Sequence, residues 1–169
     1  MNKPQKIILC AVVFIFLIPA LSCAGQFKVI RVTEGDTLEA ESGGYTVTVR
    51  LVGIDAPETS KEKGQAGQPF SQKSRTHLMR LVLDKVVEVD GYGLDRYSRV
   101  LGIVYVDGKN VNLEMVKEGL AEVYRGPPAK GLEMEPYRQA EAEAKKAERG
   151  MWSLGDKYVS PREWRRMNR

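Results

Sequence analysis

The stretch Phe27–Ile54, FKVIRVTEGDTLEAESGGYTVTVRLVGI, decides the fold. Phe27–Val32 alternates apolar and polar residues, the period of a strand with one buried face. Glu34-Gly35-Asp36 is a turn signal. Thr37–Ala40 resumes the extended pattern, and Ser42-Gly43-Gly44 turns the chain again. Tyr45–Ile54, rich in Val and Thr, makes a third strand. Three close strands joined by tight turns form a meander.

Outward from this meander, Ala56–Gly67 holds Pro, Gly, Lys and Gln without periodicity and reads as a loop. Gln68–Leu83 places Phe70, Leu78, Leu81 and Val82 at helical spacing, with Pro69 suited to the first turn. Val86–Val89 and Arg99–Val106 read as strands, and Asp107-Gly108 as a hairpin-type turn. Asn112 is a candidate cap for a short helix through Glu118, closed by Gly119. Leu120–Tyr124 looks extended, and Gly126-Pro127-Pro128 is a rigid loop. Pro136 opens a helix through Arg149, supported by the i,i+4 pair Glu141 and Lys145. From Ser153 the chain is polar, with Trp152 and Trp164 as anchors. Five strands, a helix after the third and two more helices predict an α+β, mainly β, fold. The expected architecture is a five-stranded Greek-key barrel of the OB type with about three flanking helices. Barrels of this kind bind nucleic acid or sugar on many occasions, but the fold alone does not give the chemistry.

The 169 residues suit one domain. With 43% hydrophobic and 28% charged residues the chain is neither wholly disordered nor polytopic in a membrane, and two cysteines exclude a disulfide-built scaffold. The net charge of +4 is local. Lys3 and Lys6 supply two of those charges, and four Arg against one Glu in 161–169 supply three, which leaves 25–160 at −1. A second basic patch, Lys61, Lys63, Lys73, Arg75 and Arg80 against Glu62, is either a phosphate-attracting surface or ordinary solvated charge.

Lys3 and Lys6 precede Ile7–Leu21, an apolar run of fifteen residues that ends in small residues. A spanning helix needs about 20 apolar residues, so residues 1–24 read as a secretory signal peptide. Ser22 and Ala24 suit a cut after Ala24. Alternatively, Ala-Leu-Ser-Cys loosely resembles a lipoprotein signal, in which Cys23 is lipidated. Either cut removes Cys10, so no intramolecular disulfide is expected. The protein is accordingly expected outside the cell or in the envelope, either free or anchored through Cys23. The division expected is 1–24 leader, 25–154 folded domain and 155–169 basic tail.

Asp36 lies in a Gly-Asp-Thr turn, Arg50, Asp55 and Glu58 lie in the run Arg50–Thr59, and Arg99 lies in Asp95-Arg96-Tyr97-Ser98-Arg99. Singly, Asp36 and Asp55 suit turns and Glu58 suits a loop surface. Arg50 in an apolar strand is odder, because its charge needs a partner. Together they are coherent. Two aspartates at neighbouring strand ends offer hard oxygen ligands to a divalent cation such as Ca²⁺, and Pro57 fixes the chain after Ala56. Glu58 is a carboxylate free to act on water, and two arginines can fork onto phosphate oxygens. Carboxylates, a metal and twin arginines make a toolkit for phosphodiester cleavage. His77, the only histidine, falls on the predicted helix and reads as surface or packing.

These residues stand within blocks that resemble the staphylococcal nuclease family: Glu34-Gly35-Asp36-Thr37, Arg50–Thr59, Asp95–Arg99, Val111-Asn112-Leu113 through Gly119-Leu120-Ala121, and Gly150-Met151-Trp152-Ser153. The resemblance spans Phe27 to about Trp152, and Pro161-Arg162-Glu163-Trp164-Arg165-Arg166 is similar to the ending of many secreted bacterial relatives. It implies an OB-fold, Ca²⁺-dependent nuclease on DNA and RNA that breaks the 5′-oxygen bond and leaves 3′-phosphates. It also implies Asp36, Asp55 and the Ala56 carbonyl as metal ligands, Glu58 as general base, and Arg50 and Arg99 as phosphate-binding arginines. Tyr97 and Tyr124 fall near positions that line the nucleotide pocket, and the alternative for each is a core tyrosine. Glu34 and Ser98 depart from the usual Asp and Gly, and the Lys61–Gln68 loop differs, so no substrate contact is assigned to it. The competing reading is a catalytically inactive OB-fold module that only binds nucleic acid. A monomer without an obligate protein partner is expected.

Overall fold

A computed structural model describes residues 25–60 and 66–168. The leader reading of residues 1–24, with Cys10 and Cys23, lies outside the described residues, as do Lys61, Glu62 and Lys63 of the basic patch.

The expected meander is present as β1 (Gly25–Glu34), β2 (Thr37–Ser42) and β3 (Tyr45–Leu51). Its pairings are antiparallel, with Val32 opposite Leu38 and Thr37 opposite Arg50. After α1 (Ser71–Val82), β5 (Val86–Leu94) pairs with β1 and then with β6 (Val100–Val106). Parallel pairing of β3 with β6, Arg50 opposite Leu101, closes the sheet into a five-stranded barrel. The fold is therefore the α+β, mainly β, OB-type barrel expected.

Strand alternation builds the interior. Val29, Val32, Leu38, Ala40, Val49, Leu51, Val87 and Val104 are all but inaccessible to water. A fully buried Leu or Val side chain contributes about 1.5–3 kcal/mol relative to exposure. Leu78 and Val82 of α1 and Met115 and Val116 of α2 (Val111–Lys117) join the same core.

Three local expectations are corrected. The stretch Tyr45–Ile54 is not one strand. It breaks at Val52-Gly53, where Gly53 takes φ +83°, a left-handed conformation that favours glycine. The chain then runs into a two-residue strand, β4 (Ile54–Asp55), which pairs with β8 (Glu122–Val123), Asp55 opposite Glu122. The first helix starts at Ser71, because Phe70 is held at φ 70° and Pro69 lies outside. Asn112 is not the cap of α2. Asn110 is, its side chain accepting from the Leu113 N–H at 2.9 Å. Asn112 is buried instead, accepting from the Val104 N–H and donating to the Val52 and Gly102 carbonyls, each at 3.0 Å. It ties β6 to the end of β3.

β7 (Lys109–Asn110) extends the sheet beside β6. α3 (Glu135–Lys146) has Pro136 in its first turn and ends before the predicted Arg149. Glu141 makes the expected pair with Lys145 at 2.8 Å, and it also accepts from Val123 N–H and Arg125, which fastens α3 to β8. A 3-10 helix, Gly150–Lys157, leads into α4 (Pro161–Met167), so the polar stretch after Ser153 carries helical structure. Ser160 and Glu163 cap α4 reciprocally.

Candidate active site

The β1–β2 turn, the end of β3 and β4 deliver their polar residues to one end of the barrel. Asp36 precedes β2, and its carbonyl accepts from Leu51 N–H at 2.8 Å, which locks the turn against the end of β3. Asp36 and Asp55 are each only 2% exposed. Burying a carboxylate is costly unless it is paired and hydrogen-bonded. Here the partner is Arg50, whose Nη1 donates to Asp36 Oδ1 at 3.0 Å and whose Nη2 donates to Asp55 Oδ1 at 2.8 Å. Asp36 Oδ1 also accepts from Thr37 Oγ1, and Asp36 Oδ2 from the Ala56 N–H. Burial alone lowers the Arg50 guanidinium, but the charges of Asp36 and Asp55 outweigh it and leave the group raised.

Glu58 follows on the same segment. Its N–H donates to Gln68 Oε1 at 3.1 Å, and the Gln68 amide donates onward to the Val159 carbonyl at 2.7 Å. Gln68 thus couples the Glu58 loop to the chain that enters α4. From α4, 110 positions further along the chain than Asp55, Arg165 joins the same cluster. Its Nη1 donates to Asp55 Oδ1 at 3.0 Å, its Nη2 donates to Asp55 Oδ2 at 2.7 Å, and Nη1 also bonds Glu58 Oε1. The hydrogen bonds to Asp55 raise the Arg165 guanidinium against the opposing effect of burial.

Of the residues expected at the site, Asp36, Arg50, Asp55, Ala56 and Glu58 are brought together. Arg99 is not hydrogen-bonded to them. Its Nε and Nη2 hold Asp95 Oδ2 at 2.8 and 2.7 Å, in the β5–β6 turn. Burial would raise Asp95, but this pairing and the N–H groups of Arg99 and Tyr97 leave it lowered. Arg99 precedes Leu101, the partner of Arg50 across the barrel closure, by two residues. Tyr97 is 64% exposed, with the Arg96 and Arg99 guanidinium groups 4.7 and 5.4 Å from its ring centre. Tyr124 is 42% exposed and follows β8 directly. Neither is the core tyrosine that the sequence left open. His77 is half-buried on α1 and takes no part in the cluster. Of the basic patch, Arg75 is turned inward, its Nε donating to the Val32 carbonyl at 2.9 Å.

Among the described residues no group of three or more His, Cys, Asp or Glu side chains is gathered as a ready-made metal cage. The donors at hand are two buried aspartates converging on a single guanidinium. That set is all oxygen and has no sulfur or imidazole, so it fits a hard cation that fills its shell with carbonyl oxygen and water.

The staphylococcal nuclease homologue family matches residues 48–154 of this chain. The chain belongs to the staphylococcal nuclease family. It is 37% identical over 171 residues to an uncharacterized endonuclease of Haemophilus influenzae, covering 98% of this chain and 88% of that one. An uncharacterized endonuclease of Escherichia coli is 39% identical over 156 residues, covering 91% and 94%. A micrococcal nuclease of Shigella flexneri is 34% identical over 175 residues, covering 97% and 93%. The match to the nuclease family begins in β3 and ends in the 3-10 helix, so it contains Arg50, Asp55 and Glu58 but stops short of Arg165. Sequence alone places Arg165 in a basic tail. The Ser160-Pro161-x-Glu163 capping signature was available to reveal α4, but nothing local shows where its side chains land.

Proposed function

We propose that this protein is a calcium-dependent nuclease that hydrolyses phosphodiester bonds of DNA and RNA on the 5′-oxygen side and leaves 3′-phosphates. The observation that carries this reading is the joint grip of Arg50 on the buried Asp36 and Asp55, with Glu58 three residues beyond Asp55. Family membership and relatives named as endonucleases support the same reaction class.

Asp36, Asp55 and the Ala56 carbonyl would hold the cation. When bound, calcium would neutralise phosphate charge and the charge that develops in the transition state. The remaining steps belong to side chains. Glu58 accepts a proton from the attacking water, which contributes roughly 10²–10⁴-fold. Arg50 turns a guanidinium edge to the phosphate oxygens, and Arg99, released from Asp95, supplies a second fork. Exposed Tyr97 and Tyr124 offer ring faces to bases, a sequence-tolerant contact that suits both DNA and RNA. The leader reading of residues 1–24 supports secretion or attachment to the envelope through Cys23, and the protein acts as a monomer.

Glu58→Gln tests the reading. It keeps shape and hydrogen bonding but removes the base, so turnover on single-stranded DNA falls by about 10² or more while substrate binding survives. Turnover within threefold of the unmodified protein refutes the role. Binding without any cleavage by the unmodified protein favours the inactive OB-fold module instead.

A further inference from the structure

Arg165 is placed where no surface arginine needs to be. It comes from a separate helix, 110 positions along the chain from Asp55, yet it engages both oxygens of Asp55 and one of Glu58. Its seat is built. Pro161 is buried, and Trp164 lines a small pocket together with Gln68, Pro69, Met151 and Tyr158. The Tyr158 hydroxyl donates to the buried Glu122 at 2.6 Å, directly across β4–β8 from Asp55. The Gln68 bridge fastens the entry to α4 onto the Glu58 loop.

The charges at the site give this placement a meaning. Asp36, Asp55 and Glu58 against Arg50 leave two uncompensated negative charges, the deficit that a divalent cation neutralises. Arg165 covers one of them. It does so by seating its fork on both oxygens of Asp55, which takes lone pairs and sets a positive charge where a cation about 2.3–2.6 Å from the carboxylate would lie.

We propose that Arg165 is a further active-site residue, the resident counter-cation of Asp55 and Glu58, whose engagement and the binding of a divalent cation at Asp55 exclude one another. The inference rests on the reading of Asp55 as a metal carboxylate. It makes α4 a strap that lies across the site in the metal-free protein and lifts when the cation binds. Binding is then weakened by the fraction of molecules whose site is free.

The test is isothermal titration of the protein with calcium chloride, beside hydrogen exchange of the amides of 161–167. Arg165→Gln removes the competing charge at a half-buried position, and Arg165→Lys keeps the charge without the fork. A strap seated about nine-tenths of the time makes the calcium Kd of Arg165→Gln about tenfold tighter than that of the unmodified protein, with Arg165→Lys between. Saturating calcium raises exchange in α4 of the unmodified protein. Equal or weaker calcium binding by Arg165→Gln overturns the proposal, as does an α4 that stays protected with calcium bound. If both proteins bind calcium with the same Kd, and Asp36→Asn abolishes it, the metal site stands and this inference alone fails. If neither protein binds calcium, the metal reading itself fails and takes the inference with it.

Discussion

Replacing Arg50 by Met removes the charge that joins the two buried aspartates while keeping most of the aliphatic stem. Arg50 makes two short hydrogen bonds to carboxylates, 3.0 Å to Asp36 and 2.8 Å to Asp55. Hydrogen bonds to charged groups are worth about 1.5–3 kcal/mol each, so the gross loss is about 3–6 kcal/mol. The guanidinium no longer has to be desolvated, which returns part of this, and Arg165 still serves Asp55. Asp36 keeps only Thr37 Oγ1 and the Ala56 N–H. The net loss expected is about 3–5 kcal/mol, the range for removing one partner of a buried ion pair. Urea unfolding at pH 7 in the presence of chelator measures it. The double variant Arg50→Met/Asp36→Asn loses less than the two single losses together, with a coupling of about 2 kcal/mol. A loss below 1 kcal/mol in Arg50→Met, or additive single losses, refutes the claim that this ion pair holds the site together.

Three further outcomes follow from the same structure. Asn112→Ala deletes three buried hydrogen bonds and strands the Val104 N–H and the Val52 carbonyl, while the Gly102 carbonyl keeps the Val52 N–H, so it costs about 2–5 kcal/mol in urea unfolding, and a cost under 1 kcal/mol contradicts the tie between β3 and β6. Burial pushes Glu122 above the ordinary glutamate range, only partly offset by the Tyr158 hydroxyl and Arg125. The folded state therefore holds its proton to higher pH than the unfolded state, and stability from this group is lost as pH rises through the raised value. The melting temperature of Glu122→Gln relative to the unmodified protein thus improves between pH 4 and pH 7, and a pH-independent difference excludes this account. Arg99→Lys keeps the charge but loses the fork, so kcat/KM on single-stranded DNA falls about 10²-fold, and a value within threefold removes Arg99 from phosphate binding.

The barrel was legible because its strands carry the period of two and its turns carry Gly and Asp. The clustering of Arg50, Asp55 and Glu58 was legible because they are packed into one short run, and a charged residue inside an apolar strand demands a partner. The misreadings share a cause, the competition between local propensity and tertiary need. Asn112 has the chemistry of a cap, and so does Asn110 two residues earlier. The deeper residue is taken by the core, where its side chain serves the Val104 N–H and the Val52 and Gly102 carbonyls, and Asn110 is left for the helix. The strand through Val52-Gly53 looked continuous because Val and Ile flank the glycine, but the left-handed Gly53 is what swings Asp55 round to face Glu122. Arg165 was invisible for another reason. Its helix has local signals, but the contact it makes joins residues 110 positions apart, and spacing carries no information about that.

The most direct test of the central claim is cleavage of single-stranded DNA and of RNA by the protein in calcium, followed by addition of chelator. The account predicts cleavage of both, with 3′-phosphate ends, and its abolition by chelation. Binding of either nucleic acid without cleavage in calcium, or cleavage that persists undiminished in chelator, contradicts it.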